Sequence, residues 1–217
     1  GVQYGIPSGF NGPVLMYNKV IFDNANVEYP SSDWSWDEFV KVVTKIHEKF
    51  HDIYGMKEPG VWQIMTMMRQ NGSWFSNEKA ELLDFTSGLT KTLATFNEWR
   101  KLGVLPPIDL SAGQNSQQDN LFLSGQAATQ IQHIAQFTMD QASLGEDEMG
   151  LCMIPGSSQD GGVYMLASMP WTFGKNTKYP NQAADLINFL INDEEAAKVL
   201  KTLRGVPGSD IARAAIE

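Results

Sequence analysis

Cysteine is nearly absent from this sequence of 217 residues, in which Cys152 stands alone. A single cysteine excludes an intrachain disulfide and a cysteine-based metal cluster. Cys152 lies in the apolar segment GLCMIP, and such surroundings are typical of a small buried hydrophobic side chain rather than of a nucleophile. We therefore expect Cys152 to be a structural residue.

Long apolar runs are also missing. No segment approaches the roughly 18 consecutive apolar residues that a membrane-spanning helix needs. The opening GVQYGIPSG has neither the basic nor the apolar part of a signal peptide. We expect any signal sequence to lie outside this chain.

Positive charge is scarce, because 16 lysines and arginines face 25 acidic residues for a net charge of −9. An acidic surface repels a phosphate backbone, and no basic stripe interleaved with aromatic residues is present. Nucleic acid is therefore not an expected partner. Hydrophobic residues make up 42% of the chain and aromatic residues 11%, which is typical of a folded globular protein.

Catalytic motifs are equally hard to find. The sequence has no G-x-S-x-G nucleophile turn, no Walker-type phosphate loop and no G-x-G-x-x-G after a strand. Acidic neighbours such as Asp193 and Glu194 lie at a predicted helix start, where the helix dipole explains them without chemistry. We predict no enzyme, no catalytic residue, no cofactor and no metal.

One pattern competes with that prediction. The segment HEKFH places His47 and His51 at the spacing of zinc peptidases, in which one helical turn brings both imidazoles to a single zinc ion. On the predicted helix both histidines lie at the edge of the solvated face, beside the charged Lys49 and Asp52. We interpret them as surface histidines and keep a zinc metallopeptidase as a remote alternative.

The most specific local signal is the segment SWDEF. Ser35 can cap a helix, and Glu38, three residues later, can reach back to complete a capping box. This predicts a helix from about Trp36, preceded by a short helix in NKVIFDNAN that stops at an asparagine. The apolar residues on one stripe of the main helix are Phe39, Val43, Ile46 and Phe50.

The rest of the chain alternates between helical and extended patterns. Helices are predicted at 62–70 and 78–102, and two more follow Tyr179, the first with Pro180 in its opening turn and the second ending at Gly205. Strands are predicted at 127–131 and in the segments EMGLCMIPGSS and GGVYMLAS. Helices that alternate with strands indicate an α/β fold.

The order of these segments resembles the extracellular solute-binding proteins of ABC importers, family 1, the sugar-binding group that includes maltose-binding-protein-like members. The resemblance is carried by the segments GIPSGFNGPVLMYNKVIFDNANVEYPSSDWSWDEF, NEWRKLGVLPP, NLFLSGQAATQI, MGLCMIPG, SMPWTFGKNTKYPNQAADLINFLINDEEAAKVL and LRGVPGSDIA. Thr129 replaces the usual methionine of the third segment. The resemblance covers nearly the whole chain, and the order of the motifs is more specific than any one of them.

The resemblance implies an α/β, periplasmic binding protein type II-like fold, mainly the C-terminal lobe. Residues 1–170 would form that lobe, with a hinge-crossing strand at their start, and residues 171–217 would return toward an N-terminal lobe that lies mostly outside this chain. The implied function is the substrate-binding component of an ABC importer, which captures a carbohydrate, a small oligosaccharide, in an interlobe cleft.

The resemblance also implies the partners and the location of the protein. It would be a monomer outside the cytoplasmic membrane, in the periplasm or as a cell-surface lipoprotein, and would deliver its ligand to the transmembrane subunits of an ABC permease. A non-sugar solute, such as a glycerol phosphodiester, a polyamine or a metal ion, remains the alternative ligand within the same fold.

Sugars are bound by aromatic faces and by planar polar groups, which directs attention to the six tryptophans of the chain. We expect Trp34, Trp36 and Trp99 to pack structurally. The resemblance and the positions of the remaining tryptophans at segment ends together predict the ligand-binding residues Asn11, Glu58, Trp62, Trp74, Gln132, His133, Ser168 and Trp171.

Overall fold

The computed structural model describes residues 3–111 and 120–216. The chain forms two compact units. The larger unit comprises Pro13–Gln132 and Met139–Tyr164, and the smaller unit comprises Gly1–Gly12, His133–Thr138 and Met165–Glu217. The sequence resemblance implies that residues 171–217 return toward an N-terminal lobe. The division of the chain between the two lobes stays a prediction.

The described residues form the following elements. The strands are β1 Ile6–Pro7, β2 Phe10–Asn11, β3 Pro13–Asn18, β4 Tyr54–Met56, β5 Ala127–His133, β6 Met149–Cys152, β7 Leu166–Ala167 and β8 Pro170–Trp171. The helices are α1 Lys19–Ala25, α2 Trp36–Lys49, α3 Val61–Gln70, α4 Thr86–Lys101, α5 Ile108–Ser111, α6 Phe137–Leu144, α7 Ser157–Asp160, α8 Pro180–Asn192, α9 Glu194–Leu200 and α10 Asp210–Ala214.

The larger unit is built on a four-stranded sheet in the order β4-β5-β3-β6. Strands β4 and β5 run parallel, and β3 and β6 run antiparallel with Leu15 opposite Cys152. Almost every residue of β3 is buried, as expected for a strand covered on both faces. The mixture of helices and strands confirms the predicted α/β class.

The helix predicted from SWDEF is present. The Glu38 amide donates to Ser35 Oγ over 3.2 Å, and the Ser35 amide donates to Glu38 Oε2 over 2.8 Å, which completes the capping box. Phe39, Val43 and Ile46 are fully buried. The preceding helix α1 ends at Ala25 and is capped by Asn26, whose left-handed backbone (φ 58°) confirms the predicted stop.

The prediction of a helix from residue 78 is wrong, because α4 begins at Thr86. Asn77 accepts hydrogen bonds from the amides of Lys79 and Glu81 through its side-chain oxygen. A local bond of this kind competes with helix formation and stabilises a turn. The chain folds back here, and Ser76 forms an isolated antiparallel β-bridge with Leu82.

The prediction that the last helix ends at Gly205 is also wrong, since α9 ends at Leu200. Gly205 lies in a left-handed conformation (φ 99°), and a Cβ atom there would be 2.7 Å from the carbonyl oxygen of Phe10. The glycine permits a close backbone approach to β2 rather than ending a helix. The strand predicted in GGVYMLAS is reduced to the two residues of β7.

The tryptophans predicted to be structural lie in or against the core of the larger unit. Trp34 and Trp99 are buried. Trp36 packs at 5.0 Å from Trp99 and 5.6 Å from Phe39, measured between ring centroids. These contacts confirm the structural interpretation of all three.

The smaller unit contains two antiparallel strand pairs, β1 with β8 and β2 with β7, and the helices α8, α9 and α10. Pro180 opens α8, as predicted. Several large apolar side chains of the smaller unit are exposed, among them Leu186, Phe189, Val199 and Ile211. Within the described residues, no helix combines the length and the apolar character that a bilayer crossing requires.

Candidate functional site

Helix α3 begins in the segment EPGVW and presents two different faces. Gly60 starts the helix, and its amide donates to Gln63 Oε1 over 2.6 Å. Gln63, Thr66 and Met67 form the buried face. Trp62 and Arg69 are seven residues apart, so that two helical turns bring both to the same side.

The segment that ends at Tyr164 is fastened to α3 by one side chain. Gln70 donates to the carbonyl oxygens of Pro155 (3.1 Å) and Gly161 (3.3 Å) and accepts from Trp36 Nε1 (2.8 Å). Gly162 lies so close that a Cβ atom would be 2.7 Å from Gln70 Cγ and 2.8 Å from the carbonyl oxygen of Thr66. This close packing holds Tyr164 beside the helix.

Four side chains meet at this place, and we call them the aromatic–arginine cluster: Trp62, Arg69, Trp74 and Tyr164. The rings of Trp62 and Tyr164 are 6.1 Å apart between centroids. The guanidinium carbon of Arg69 lies 4.8 Å from the Tyr164 ring and 4.9 Å from the Trp74 ring. Trp62 is 36% exposed and Trp74 is 51% exposed, so both rings retain surface for a ligand.

Arg69 and Arg100, the two arginines of the larger unit, have different electrostatic environments. In the described part of the chain an ion pair joins Arg100 to Glu58, but none joins Arg69 to a carboxylate. The Nη1 atom of Arg69 is buried and has no acceptor there; such a donor costs about 1–3 kcal/mol. Contact with two rings offsets part of that cost through cation–π attraction. Burial raises the pKa of Tyr164, and the nearby charge of Arg69 opposes this increase.

Glu58, predicted as a polar ligand contact, is held by other side chains of the larger unit. Arg100 donates to both carboxylate oxygens, over 2.5 and 2.7 Å, and Ser111 donates to one of them over 2.8 Å. Arg100 also donates to the carbonyl oxygen of Pro106. The pair therefore fixes the EPG turn to the C-terminal end of α4.

Gln132 and His133 lie at the end of β5 and are both half-buried. Burial lowers the pKa of His133, which favours the neutral imidazole. His133 belongs to the smaller unit and Gln132 to the larger one.

The other predicted ligand residues belong to the smaller unit. The side-chain oxygen of Asn11 accepts from the amides of Gly12 (3.2 Å) and Ala135 (3.3 Å), and Ala135 lies in the 3-10 helix Ile134–Gln136. The Ser168 amide donates to the carbonyl oxygen of Gly9 over 2.9 Å. Trp171 pairs with Ile6 across β8 and β1.

Trp171 also lines an open cavity of about 420 Å³ within the smaller unit. The other lining residues include Tyr4, Phe173 and Ile187. The indole nitrogen of Trp171 is buried and has no hydrogen-bond acceptor among the described residues. The cavity is mostly apolar in its lining and contains neither a second tryptophan nor an arginine among those residues.

The HEKFH segment does not form the helical pair that zinc peptidases use. Helix α2 ends at Lys49, and His51 lies in the following turn. His47 Nδ1 lies 2.9 Å from the carbonyl oxygen of Ile53, and its ring stacks on Tyr54 at 5.2 Å. Within residues 3–111 and 120–216, no three His, Cys, Asp or Glu side chains are placed to hold a metal ion.

Cys152 is a free, buried thiol. Burial raises its pKa to about 12, so the nucleophilic thiolate is disfavoured at neutral pH. The expectation of a structural cysteine is confirmed.

The structure adds Arg69 and Tyr164 to the candidates. The seven-residue spacing from Trp62 could have predicted Arg69, because residues two turns apart share a helix face. No sequence pattern points to Tyr164, which reaches α3 through the Gln70 contacts with residues 155–161. The cluster thus combines the predicted Trp62 and Trp74 with two residues found only in the structure.

Comparison with known proteins gives a consistent family and fold. The family model for the bacterial extracellular solute-binding proteins matches residues 2–197. The chain is similar to a family 1 extracellular solute-binding protein from Alicyclobacillus acidocaldarius, with 26% identity and a TM-score of 0.76 over 99% of this chain and 54% of that one.

Two further solved structures are similar. An ABC substrate-binding protein from Listeria monocytogenes, in complex with cycloalternan, has 25% identity and a TM-score of 0.76, over 99% of this chain and 55% of that one. A periplasmic oligogalacturonide-binding protein from Yersinia enterocolitica, in complex with saturated digalacturonic acid, has 23% identity and a TM-score of 0.76, over 98% of this chain and 55% of that one. The chain spans about half the length of these proteins.

Proposed function

Since this chain belongs to the bacterial extracellular solute-binding proteins, we propose that it is part of the substrate-binding component of an ABC importer and that it captures a carbohydrate, in particular a small oligosaccharide. The observation that carries this proposal is the aromatic–arginine cluster. Its exposed Trp62 and Trp74 rings offer the flat apolar surface on which the C–H faces of sugars pack.

The assignment to carbohydrate rests on the chemistry of the cluster and on one relative. Two exposed tryptophans and a tyrosine lie around one planar cation, and aromatic walls with few polar groups are usual in small-molecule sites. The Listeria monocytogenes relative was solved with cycloalternan, which supports a saccharide as the ligand class. A polyamine fits less well, because Arg69 would repel a cation.

In this proposal the protein acts outside the cytoplasmic membrane as a monomer and passes its ligand to the transmembrane subunits of a permease. Residues 1–170 belong to the C-terminal lobe, with a hinge-crossing strand at their start, and residues 171–217 return toward the N-terminal lobe. Of the predicted ligand contacts, Trp62 and Trp74 are the best supported, because both belong to the aromatic–arginine cluster. Asn11, Glu58, Gln132, His133, Ser168 and Trp171 stay predictions.

The test is intrinsic tryptophan fluorescence of the full-length protein during titration with a panel of neutral and acidic oligosaccharides. We expect a saturable spectral change with one saccharide class. Trp62→Ala and Trp74→Ala should each weaken that binding about tenfold, in the range found when an aromatic contact is truncated at a binding site. Tyr179→Ala, which removes an exposed aromatic ring of the smaller unit, is the control and should bind normally.

A zinc titration is run beside the saccharides. A response to stoichiometric zinc with none to any saccharide would contradict the proposal and revive the metallopeptidase alternative. Normal saccharide binding by both tryptophan variants would instead show that the ligand binds elsewhere than at the cluster.

A further inference from the structure

Arg69, the cation at the centre of the aromatic–arginine cluster, bears on the charge of the ligand. Resting on the proposed function, we propose that the saccharide bound at this cluster carries a carboxylate, as a uronic acid residue does, and that Arg69 is the residue that selects it.

Arg69 differs from Arg100, the other arginine of the larger unit. Arg100 forms a two-pronged ion pair with Glu58. Within the described residues no carboxylate pairs with Arg69, although the chain carries a net charge of −9. An unneutralised cation in an acidic protein is a local attraction for an anion.

The guanidinium group of Arg69 is partly desolvated. The Tyr164 and Trp74 rings lie 4.8 and 4.9 Å from it, and its Nη1 atom is buried without an acceptor among the described residues. A partly desolvated charge interacts more strongly with an opposite charge than a fully hydrated one does. Arginine is also less strongly hydrated than lysine, and its planar fork matches a carboxylate.

The groups of the cluster match both parts of a uronic acid residue. A uronic acid residue presents an apolar C–H face and a carboxylate on the same ring, and the cluster presents exposed tryptophan faces beside a cation. Glu58, which lies in the EPG turn before α3, is neutralised by Arg100, so it does not offer a free negative charge to repel such a ligand. A neutral sugar would use the rings and leave the cation without a partner.

The experiment compares matched ligands by isothermal titration calorimetry on the full-length protein. Disaccharides of galacturonic, glucuronic and mannuronic acid are each tested against their methyl esters, which remove the charge and keep the rings. We expect at least one acid to bind about tenfold or more tightly than its ester, the scale of a charged hydrogen bond. Raising sodium chloride from about 50 mM to about 500 mM should reduce this advantage.

Variants identify the residue responsible. Arg69→Gln should abolish the preference for the acid while the affinity for the ester changes less than about threefold, because the ester has no charge with which Arg69 could pair. Arg69→Lys keeps a cation and should retain part of the preference. Lys45→Gln removes the same charge from an exposed position on α2 and should behave like the unaltered protein.

The outcomes separate this inference from the proposed function. Equal or tighter binding of the esters would overturn the inference and leave carbohydrate capture standing, and so would a stronger preference for sugar phosphates. Equal losses for acid and ester in Arg69→Gln would show that Arg69 only positions the rings. Binding of no saccharide by a folded protein would contradict both.

Discussion

Arg69 and Arg100 lie in the same unit, yet their guanidinium groups have opposite surroundings. Arg100 forms a two-pronged pair with Glu58 and also donates to a carbonyl oxygen. Arg69 contacts aromatic rings and forms no ion pair within the described residues. We interpret the first as a structural clamp between the EPG turn and α4, and the second as a ligand-facing group.

The clamp leads to a stability prediction. Arg100→Met leaves Glu58 partly buried without its charged partner, so the free energy of unfolding should fall by about 2 kcal/mol. Urea denaturation followed by far-ultraviolet circular dichroism measures this change. Lys101→Met is the matched control, because Lys101 and its partner Glu98 are both largely exposed and such pairs contribute little. Equal effects of the two substitutions would contradict the structural role of the clamp.

At the scale of elements, the arrangement of α3 and the segment 155–164 determines whether the aromatic–arginine cluster exists. Helix α3 supplies Trp62 and Arg69, the turn after it supplies Trp74, and the segment supplies Tyr164. Gln70 joins the two elements by two hydrogen bonds, which it donates to the carbonyl oxygens of Pro155 and Gly161. The cluster therefore depends on a contact between segments that lie far apart in the sequence.

Two adjacent glycines test this contact. Gly161 and Gly162 both have positive φ, at 66° and 78°, but a Cβ atom on Gly161 would meet no described atom within 4 Å. Gly162→Ala should thus cost about 2–3 kcal/mol of stability, from backbone strain and from collision with Gln70 and Thr66. Gly161→Ala suffers only the backbone strain and should cost about 1 kcal/mol.

Both variants are measured by urea denaturation and by saccharide titration. We expect Gly162→Ala alone to weaken ligand binding, because it moves Tyr164 away from Arg69. Identical stability and affinity in the two variants would mean that the packing against α3 does not hold the segment.

At the scale of the whole molecule, exposed apolar side chains are concentrated in the helices of the smaller unit. Leu186, Phe189, Val199 and Ile211 are between 45% and 77% exposed. Monomeric soluble proteins rarely leave large apolar patches in water. This exposure supports the proposal that residues 171–217 pack against an N-terminal lobe in a protein of about twice this length.

This proposal predicts different dye binding by the chain and by the full-length protein. The isolated chain should bind the hydrophobic dye ANS several-fold more strongly, because exposed apolar surface is what the dye detects. Leu186→Glu should reduce dye binding by the isolated chain and should destabilise the full-length protein, in which the residue is expected to be covered. Leu82→Glu, at an exposed position of the larger unit, should leave the full-length protein's stability unchanged.

Equal dye binding by the isolated chain and the full-length protein would contradict the proposed packing. So would a full-length protein that tolerates Leu186→Glu without loss of stability.

Features that depend only on neighbouring residues could be predicted from the sequence. The capping box of Ser35 and Glu38, the left-handed stop at Asn26 and the opening of α8 at Pro180 follow from local hydrogen bonding and backbone geometry. The order of the motifs also identified the family, which the match over residues 2–197 confirms. Local rules failed at 78–85, where Asn77 stabilises a turn that the helical pattern did not reveal.

The tertiary structure alone decided which side chains share a site. It joined Glu58 to Arg100 and placed Tyr164 beside Arg69, and neither contact has a signature in sequence spacing. These contacts form between segments that are distant in the chain, where packing and hydrogen-bond geometry rather than local preference select the partners. Composition could show that the chain is acidic, but only the fold could show that no acid of the residues it describes pairs with Arg69.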